Sequence, residues 1–139
     1  MTKQPMPKTS LKVYAPMTAD IIHAGHIEFL KKCSKKGEVV VGLISDMGIK
    51  KYKGHLPIIP FEQRRVVLEA IKYVHKVVRQ NGIDPSNYLM SRHAKYIASG
   101  DGFEEKEIEA AKKYKVELLN VGPKKFSSSE IKKSICQQK

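Results

Sequence analysis

Glu38-Val39-Val40-Val41-Gly42-Leu43-Ile44 is a nearly unbroken apolar run. Successive side chains of a strand point to opposite faces, so a strand with one wet face alternates apolar and polar residues. A run without alternation predicts a strand covered on both faces, the habit of parallel sheets flanked by helices. Upstream, residues 24–36 follow a helical pattern, with Ile27, Leu30 and Cys33 or Ser34 near one face and Gly37 as the stop. Residues 11–15 read as a short strand before that helix. Downstream comes a basic loop over 45–60 with Gly54, Pro57 and Pro60. A helix follows over 61–73, with Val66, Val67, Ala70 and Ile71 supplying apolar contacts, then a strand over 76–79. Residues 85–93 are read as a helix and 96–98 as a short strand. Residues 104–115 form a helix with acids at its start and lysines at its end, matching the helix dipole. A strand over 116–121 and a final helix from Ser129 or Glu130 to Cys136, capped by Ser127 to Ser129, complete the series.

Strands alternating with helices imply a single α/β, Rossmann-like domain: a mostly parallel sheet with helices on both faces. With 139 residues, 41% of them hydrophobic, the chain can bury one core. Residues 1–10 are polar, carry two prolines and lack the apolar core of a signal peptide, so they are expected to be a disordered lead-in to a domain over 11–139. No apolar run approaches the roughly 18 to 20 residues that span a bilayer. Cys33 and Cys136 have no paired spacing, which suits a reduced, cytoplasmic protein. The net charge of +12 favours anionic ligands. Lys31, Lys32, Lys35 and Lys36, like Lys112, Lys113 and Lys115, fit a solvated helix side or a surface that gathers nucleotide or nucleic acid.

The first strand is followed by Ala15-Pro16-Met17-Thr18-Ala19-Asp20-Ile21-Ile22-His23-Ala24-Gly25-His26. His23 and His26, three apart at a helix start, can face one point. Gly25 admits a bulky ligand close to the backbone, and the free N–H groups of the helix start favour an anion. From spacing alone a phosphate site and a structural histidine pair stand level. Zinc needs three or four protein ligands, and no Cys/His set completes one, so no metal ligands are assigned.

His23-Ala24-Gly25-His26 resembles the HxGH signature of the nucleotidylyltransferase superfamily, in its cytidylyltransferase branch. Further blocks occur in the same order. Pro60-Phe61-Glu62-Gln63-Arg64-Arg65 with Ile71-Lys72-Tyr73-Val74 is similar to the family's ER helix and the segment after it. Ser99-Gly100-Asp101-Gly102-Phe103 resembles GDDW, and Phe126-Ser127-Ser128-Ser129-Glu130-Ile131 resembles ISTT-x-I. The resemblance implies catalytic roles for His23, His26, Lys53 and Arg64. It implies nucleotide contacts at Met17, Thr18, Gly25, Gly100, Asp101, Ser127, Ser128 and Ser129, and acceptor contacts at Asp20 and Lys51. Without it, the serine run is an ordinary cap and the Lys-Lys-Tyr-Lys run a solvated loop.

The chain departs from the family pattern at Met17 and Ala19, where GTFD has Gly and Phe. It departs again at His75, where Asp is common, and at Gly102, where GDD has its second Asp; Lys124 and Lys125 stand near the place of a phosphate-contacting arginine. The implied reaction is in-line attack of a phosphate or phosphonate oxygen on the α-phosphorus of CTP, with pyrophosphate leaving and Mg2+ accompanying the triphosphate. The stretch MTADIIHAGH with YKxxxPxxPFEQR looks most like phosphonate cytidylyltransferases, making a 2-aminoethylphosphonate-like acceptor the favoured one. Glycerol-3-phosphate cytidylyltransferases and archaeal-type FAD synthetases, which use adenylyl transfer, share some of these blocks. A homodimer is implied by the resemblance alone. A basic nucleic-acid-binding module or a silent nucleotide sensor are the rival classes; clustered aromatics and a helix-turn-helix pattern, which nucleic acid would favour, are missing.

Overall fold

All seven residues of the strand Glu38–Ile44 (β2) are buried. In this computed structural model, which describes residues 11–91 and 94–122, β2 lies between β1 (Lys12–Met17) and β3 (Lys76–Gln80). The sheet has five strands in the order β3-β2-β1-β4-β5, where β4 is Tyr96–Ser99 and β5 is Glu117–Asn120. Every neighbouring pair is parallel, with Ala15 opposite Val41 and Val41 opposite Val77 in register. The mostly parallel sheet expected from the sequence is therefore wholly parallel.

Alternate residues of the central strands feed two apolar layers. On one face Val13, Ala15, Val39, Val41 and Leu43 pack with Phe29, Leu30 and Cys33 of α1 (Ala24–Ser34) and with Phe61 and Leu68 of α3 (Phe61–Glu69). On the other, Tyr14, Val40 and Ile97 meet Leu89 of α4 (Ser86–Ser91) and Ala110 and Ala111 of α5 (Glu105–Tyr114). This double cover explains the missing alternation in β2. Gly42 has its own reason within that strand: a Cβ there would lie 2.1 Å from the Tyr14 hydroxyl oxygen. Its absence leaves room for that hydroxyl to donate to Gln80 Oε1 at 2.6 Å, while the Tyr14 ring stacks on Tyr88 at 4.4 Å.

Several expectations are corrected. The stretch 45–60 is not all loop, because Asp46–Lys53 forms a helix, α2, capped by the Ser45 side chain and ended by Gly54 at φ 85°. The helix expected over 61–73 stops at Glu69. Val66, Val67 and Ala70 face solvent, since the buried side of α3 is Phe61, Arg64 and Leu68, at helical spacing. On α1 the buried stripe is His26, Phe29, Leu30 and Cys33, with Ile27 at its margin. The first strand runs on to Met17, and burial raises the Cys33 thiol to about 12, leaving it inert. Lys31, Lys35, Lys36, Lys112, Lys113 and Lys115 are exposed. Residues 1–10, Cys136, the serine run and the last expected helix lie outside the described residues.

The chain runs β1 to β2 to β3 in one direction and returns to β4 and β5 on the other side of β1. A crevice opens beyond the carboxyl ends where the order reverses, between β1 and β4.

Lys115, exposed, ends α5 in the left-handed conformation at φ 56°. A side chain there costs about 1–2 kcal/mol, while glycine loosens the unfolded chain by about 0.4–1 kcal/mol. Lys115→Gly is expected to stabilise the fold by about 0.5–1 kcal/mol net, read as a rise in the urea midpoint at unchanged m-value.

Candidate active site

The loop leaving β1 reaches α1 through His23, whose extended backbone makes it the N-cap of that helix. The Gly25 N–H donates to His23 Nδ1 at 3.0 Å, and the His23 N–H donates to His26 Nδ1 at 3.2 Å. A backbone N–H can only donate, so both Nδ1 atoms are acceptors and each neutral ring carries its proton on Nε2. The rings pack at 4.2 Å between centroids, tilted by 56°. His26 is buried yet lines the crevice.

That crevice encloses about 200 Å³. Met17, Thr18, His26, Lys53, Gly100 and Asp101, six residues singled out in the sequence, all line it. They come from the ends of β1 and β4, the start of α1 and the end of α2. His23 and Gly25 shape the helix start behind His26. Lys51 is exposed on α2 and does not line the crevice. Ser127, Ser128 and Ser129 lie outside the described residues.

Two expected site residues sit behind the wall. Arg64 is 1% exposed, and its guanidinium donates to four acceptors. Nε bonds the Ile59 carbonyl at 2.8 Å; Nη1 bonds the carbonyls of Thr18 at 2.7 Å and Ile44 at 2.8 Å; Nη2 pairs with Asp46 Oδ1 at 2.6 Å. It therefore positions the loops that line the crevice. Asp20, also buried, accepts the N–H groups of Ile58 and Ile59 at 3.0 and 2.8 Å. Both of its oxygens thus fasten the 54–60 loop to the β1 end.

The departures from the family pattern acquire physical meaning. Ala19 is buried at φ 49°, a conformation that costs a non-glycine residue energy and persists where the surroundings fix it. Gly102 sits at φ 111°, where an aspartate would be strained, and its carbonyl accepts the Ser99 hydroxyl. His75 pairs with Glu38 at 3.2 Å at the amino ends of β2 and β3, the end of the sheet opposite the crevice. Its exchange for the usual aspartate leaves the crevice lining untouched.

Sequence reading missed Tyr52, Glu104 and Glu107, which line the crevice as well. Tyr52 donates to Glu104 Oε1 at 2.5 Å, and the Glu104 N–H donates to Glu107 Oε1 at 2.7 Å. Burial raises the carboxyl of Glu107 above the usual range. Glu104 and Glu107 were legible as acids at a helix start; an aromatic inside Lys-Lys-Tyr-Lys was the one cue for Tyr52. Among the described residues no group of three or more His, Cys, Asp or Glu side chains could hold a metal ion.

The family model for cytidylyltransferase-like proteins matches residues 14–134. The chain belongs to that family. Cytidylyltransferase-like relatives include an FAD synthase of Archaeoglobus fulgidus, 44% identical over 83 residues, which are 60% of each chain. An FAD synthase of Pyrococcus horikoshii is 52% identical over 60 residues, 42% of this chain and 40% of that one. The bifunctional protein HldE of Wolinella succinogenes is 32% identical over 117 residues, 82% of this chain but 25% of its own. The chain thus spans between a quarter and 60% of the length of these curated relatives. Among solved structures, the lipopolysaccharide core biosynthesis protein from Thermoplasma volcanium superposes with a TM-score of 0.70 at 26% identity, covering 85% of this chain and 99% of that one. No helix among the described residues is long and apolar enough to cross a membrane.

Arg64→Lys is expected to destabilise the fold by about 3–5 kcal/mol, since an ammonium cannot reach four acceptors and leaves buried partners unmet; thermal unfolding reads it. Glu107→Gln is expected to stabilise the protein at pH 7. The raised folded-state value means that ionising Glu107 penalises folding above it, and that below the unfolded value the carboxyl is protonated in both states. The advantage of the glutamine therefore fades as pH falls through the folded and then the unfolded value, which urea titrations at stepped pH measure.

Proposed function

We propose that this chain transfers a nucleoside monophosphate from a nucleoside triphosphate to a phosphate or phosphonate oxygen, releasing pyrophosphate. The observation that carries the reading is the histidine pair at the start of α1. Both Nδ1 atoms accept backbone N–H groups of the helix start, which fixes the proton of each neutral ring on Nε2, and His26 lines the crevice. A fixed donor beside the positive end of a helix suits charge that builds on an α-phosphate during attack. Lys53 stands on the same crevice, fit to neutralise phosphate oxygens, and Lys51 extends that charge outward from α2.

The acceptor oxygen is already anionic at neutral pH, so attack needs alignment and charge neutralisation instead of a strong base. Met17, Thr18, Gly100 and Asp101 line the crevice and are assigned nucleotide contacts, Thr18 to the triphosphate and Gly100 and Asp101 to the nucleoside. Ser127, Ser128 and Ser129 are assigned a second phosphate cradle on the motif alone. Mg2+ belongs to the substrate in this reading, since triphosphate oxygens and water supply most of its ligands. CTP with a small phosphonate acceptor of the 2-aminoethylphosphonate type is the reading carried by the MTADIIHAGH and PFEQR blocks. The FAD synthase relatives favour a second reading, ATP as donor with a flavin phosphate as acceptor. A homodimer is part of the first reading, and sedimentation tests it.

Pyrophosphate release is to be measured with CTP, ATP, GTP and UTP, each against aminoethylphosphonate, glycerol 3-phosphate and flavin mononucleotide. Turnover with CTP and a phosphonate supports the first reading; turnover with ATP and the flavin replaces it with the second. No turnover with any pair, in a protein that binds nucleotide, would overturn the enzyme assignment. His26→Ala is expected to lower kcat about a hundred- to a thousandfold with an unchanged circular dichroism spectrum.

A further inference from the structure

We propose that Tyr52 controls nucleotide admission: its hydrogen bond to Glu104 straps the crevice, and a nucleoside triphosphate enters by parting that strap. The identity of what enters rests on the nucleotidyl-transfer reading; the strap rests on geometry.

Tyr52 sits in the last turn of α2, which follows β2, and Glu104 caps α5, which follows β4. Strands β2 and β4 flank β1 on opposite sides. The Tyr52–Glu104 bond therefore runs from one wall to the other across the loop that leaves β1. It lies at the mouth, because Tyr52 and Glu104 are exposed while His26 and Glu107 below them are buried. The open crevice it spans measures about 200 Å³, under the roughly 300–1,000 Å³ of pockets that bury a drug-sized ligand. A triphosphate carrying sugar and base fills more than that volume and so extends through the mouth that the bond spans.

The two ends of α2 are held differently. Its start is pinned by the buried Arg64 guanidinium, which holds Asp46, and by the Ser45 cap. Its end carries Tyr52 and runs into Gly54 at φ 85° and the exposed residues His55 and Leu56. Swinging that end outward parts the solvent-facing Tyr52–Glu104 bond and moves Lys53 as well. The bond to Glu104 also pushes the Tyr52 hydroxyl up to about 12, so the phenol keeps its proton at neutral pH and remains a donor.

A closed population lowers apparent affinity by the fraction that is open. A carboxylate-accepted hydrogen bond, discounted for exposure, sets that factor at about three- to tenfold. Stopped-flow and calorimetric binding to the full chain with Mg2+ is to be measured using CTP, ATP and inorganic pyrophosphate as probes. Tyr52→Phe is expected to tighten whichever nucleotide the unmodified protein binds by about three- to tenfold, mainly in the association rate. Pyrophosphate, lacking sugar and base, is expected to change by less than about twofold, because it fits under the strap. Glu104→Gln should act in the same direction more weakly, and the double variant should gain nothing beyond Tyr52→Phe. Unchanged or weaker nucleotide binding by Tyr52→Phe, or an equal gain for pyrophosphate, would overturn the strap while leaving the nucleotide reading in place. Failure of the unmodified protein to bind any of the three probes would overturn both.

Discussion

The guanidinium of Arg64 is the constraint on which the crevice depends. A buried cation is costly to strip of water and is tolerated only when its donors are met. Here they are met by Thr18 after β1, Ile44 at the end of β2, Asp46 at the start of α2 and Ile59 before α3. Three stretches far apart in sequence, at Thr18, at Ile44 with Asp46 and at Ile59, are thereby drawn to one point at the carboxyl edge of the sheet. Ile59 is held twice, giving its carbonyl to Arg64 and its N–H to Asp20. The strained Ala19, between the Thr18 carbonyl and Asp20, sits inside this mesh. Strain of that kind survives where neighbours over-determine the backbone, and here they do.

The same guanidinium explains what sequence pattern could and could not reveal. β2 was legible because all seven of its residues are buried, which is what an unbroken apolar run means. α5 was legible because its acids and lysines sit at the ends that the helix dipole prefers. On α3 the pattern misled: Val66 and Val67 looked like core, yet the buried side is Phe61, Arg64 and Leu68. Periodicity reads an arginine as polar and cannot see a buried one with four partners. α2 escaped for the opposite reason, since only Gly48 and Ile49 of its eight residues are buried and no apolar stripe exists to detect. Its cap, Ser45, and its stop, Gly54, were the signals available.

The site was legible as far as its motif reached. His23 and His26 occupy adjacent places, and their spacing on a helix start carries the geometry that the structure displays. Glu104, Glu107 and Tyr52 join the crevice only because the sheet order brings β2 and β4 to either side of β1. No local pattern encodes that meeting. The carboxylates had a sufficient local explanation as capping acids of α5, and they serve that role as well.

Charge distribution gives the crevice a direction. The net charge of +12 gathers anions without sorting them. Lys53, the start of α1 and the acids Asp101, Glu104 and Glu107 all border the crevice. Phosphate oxygens are repelled by three carboxylates, whereas hydroxyl and amino donors are welcome there. On the proposed reading the phosphates therefore lie toward His26 and the start of α1, away from those carboxylates. Arg64 acts on the crevice from behind its wall. By holding Asp46 it fixes the base of α2, and so determines which wall the lysines and Tyr52 approach from.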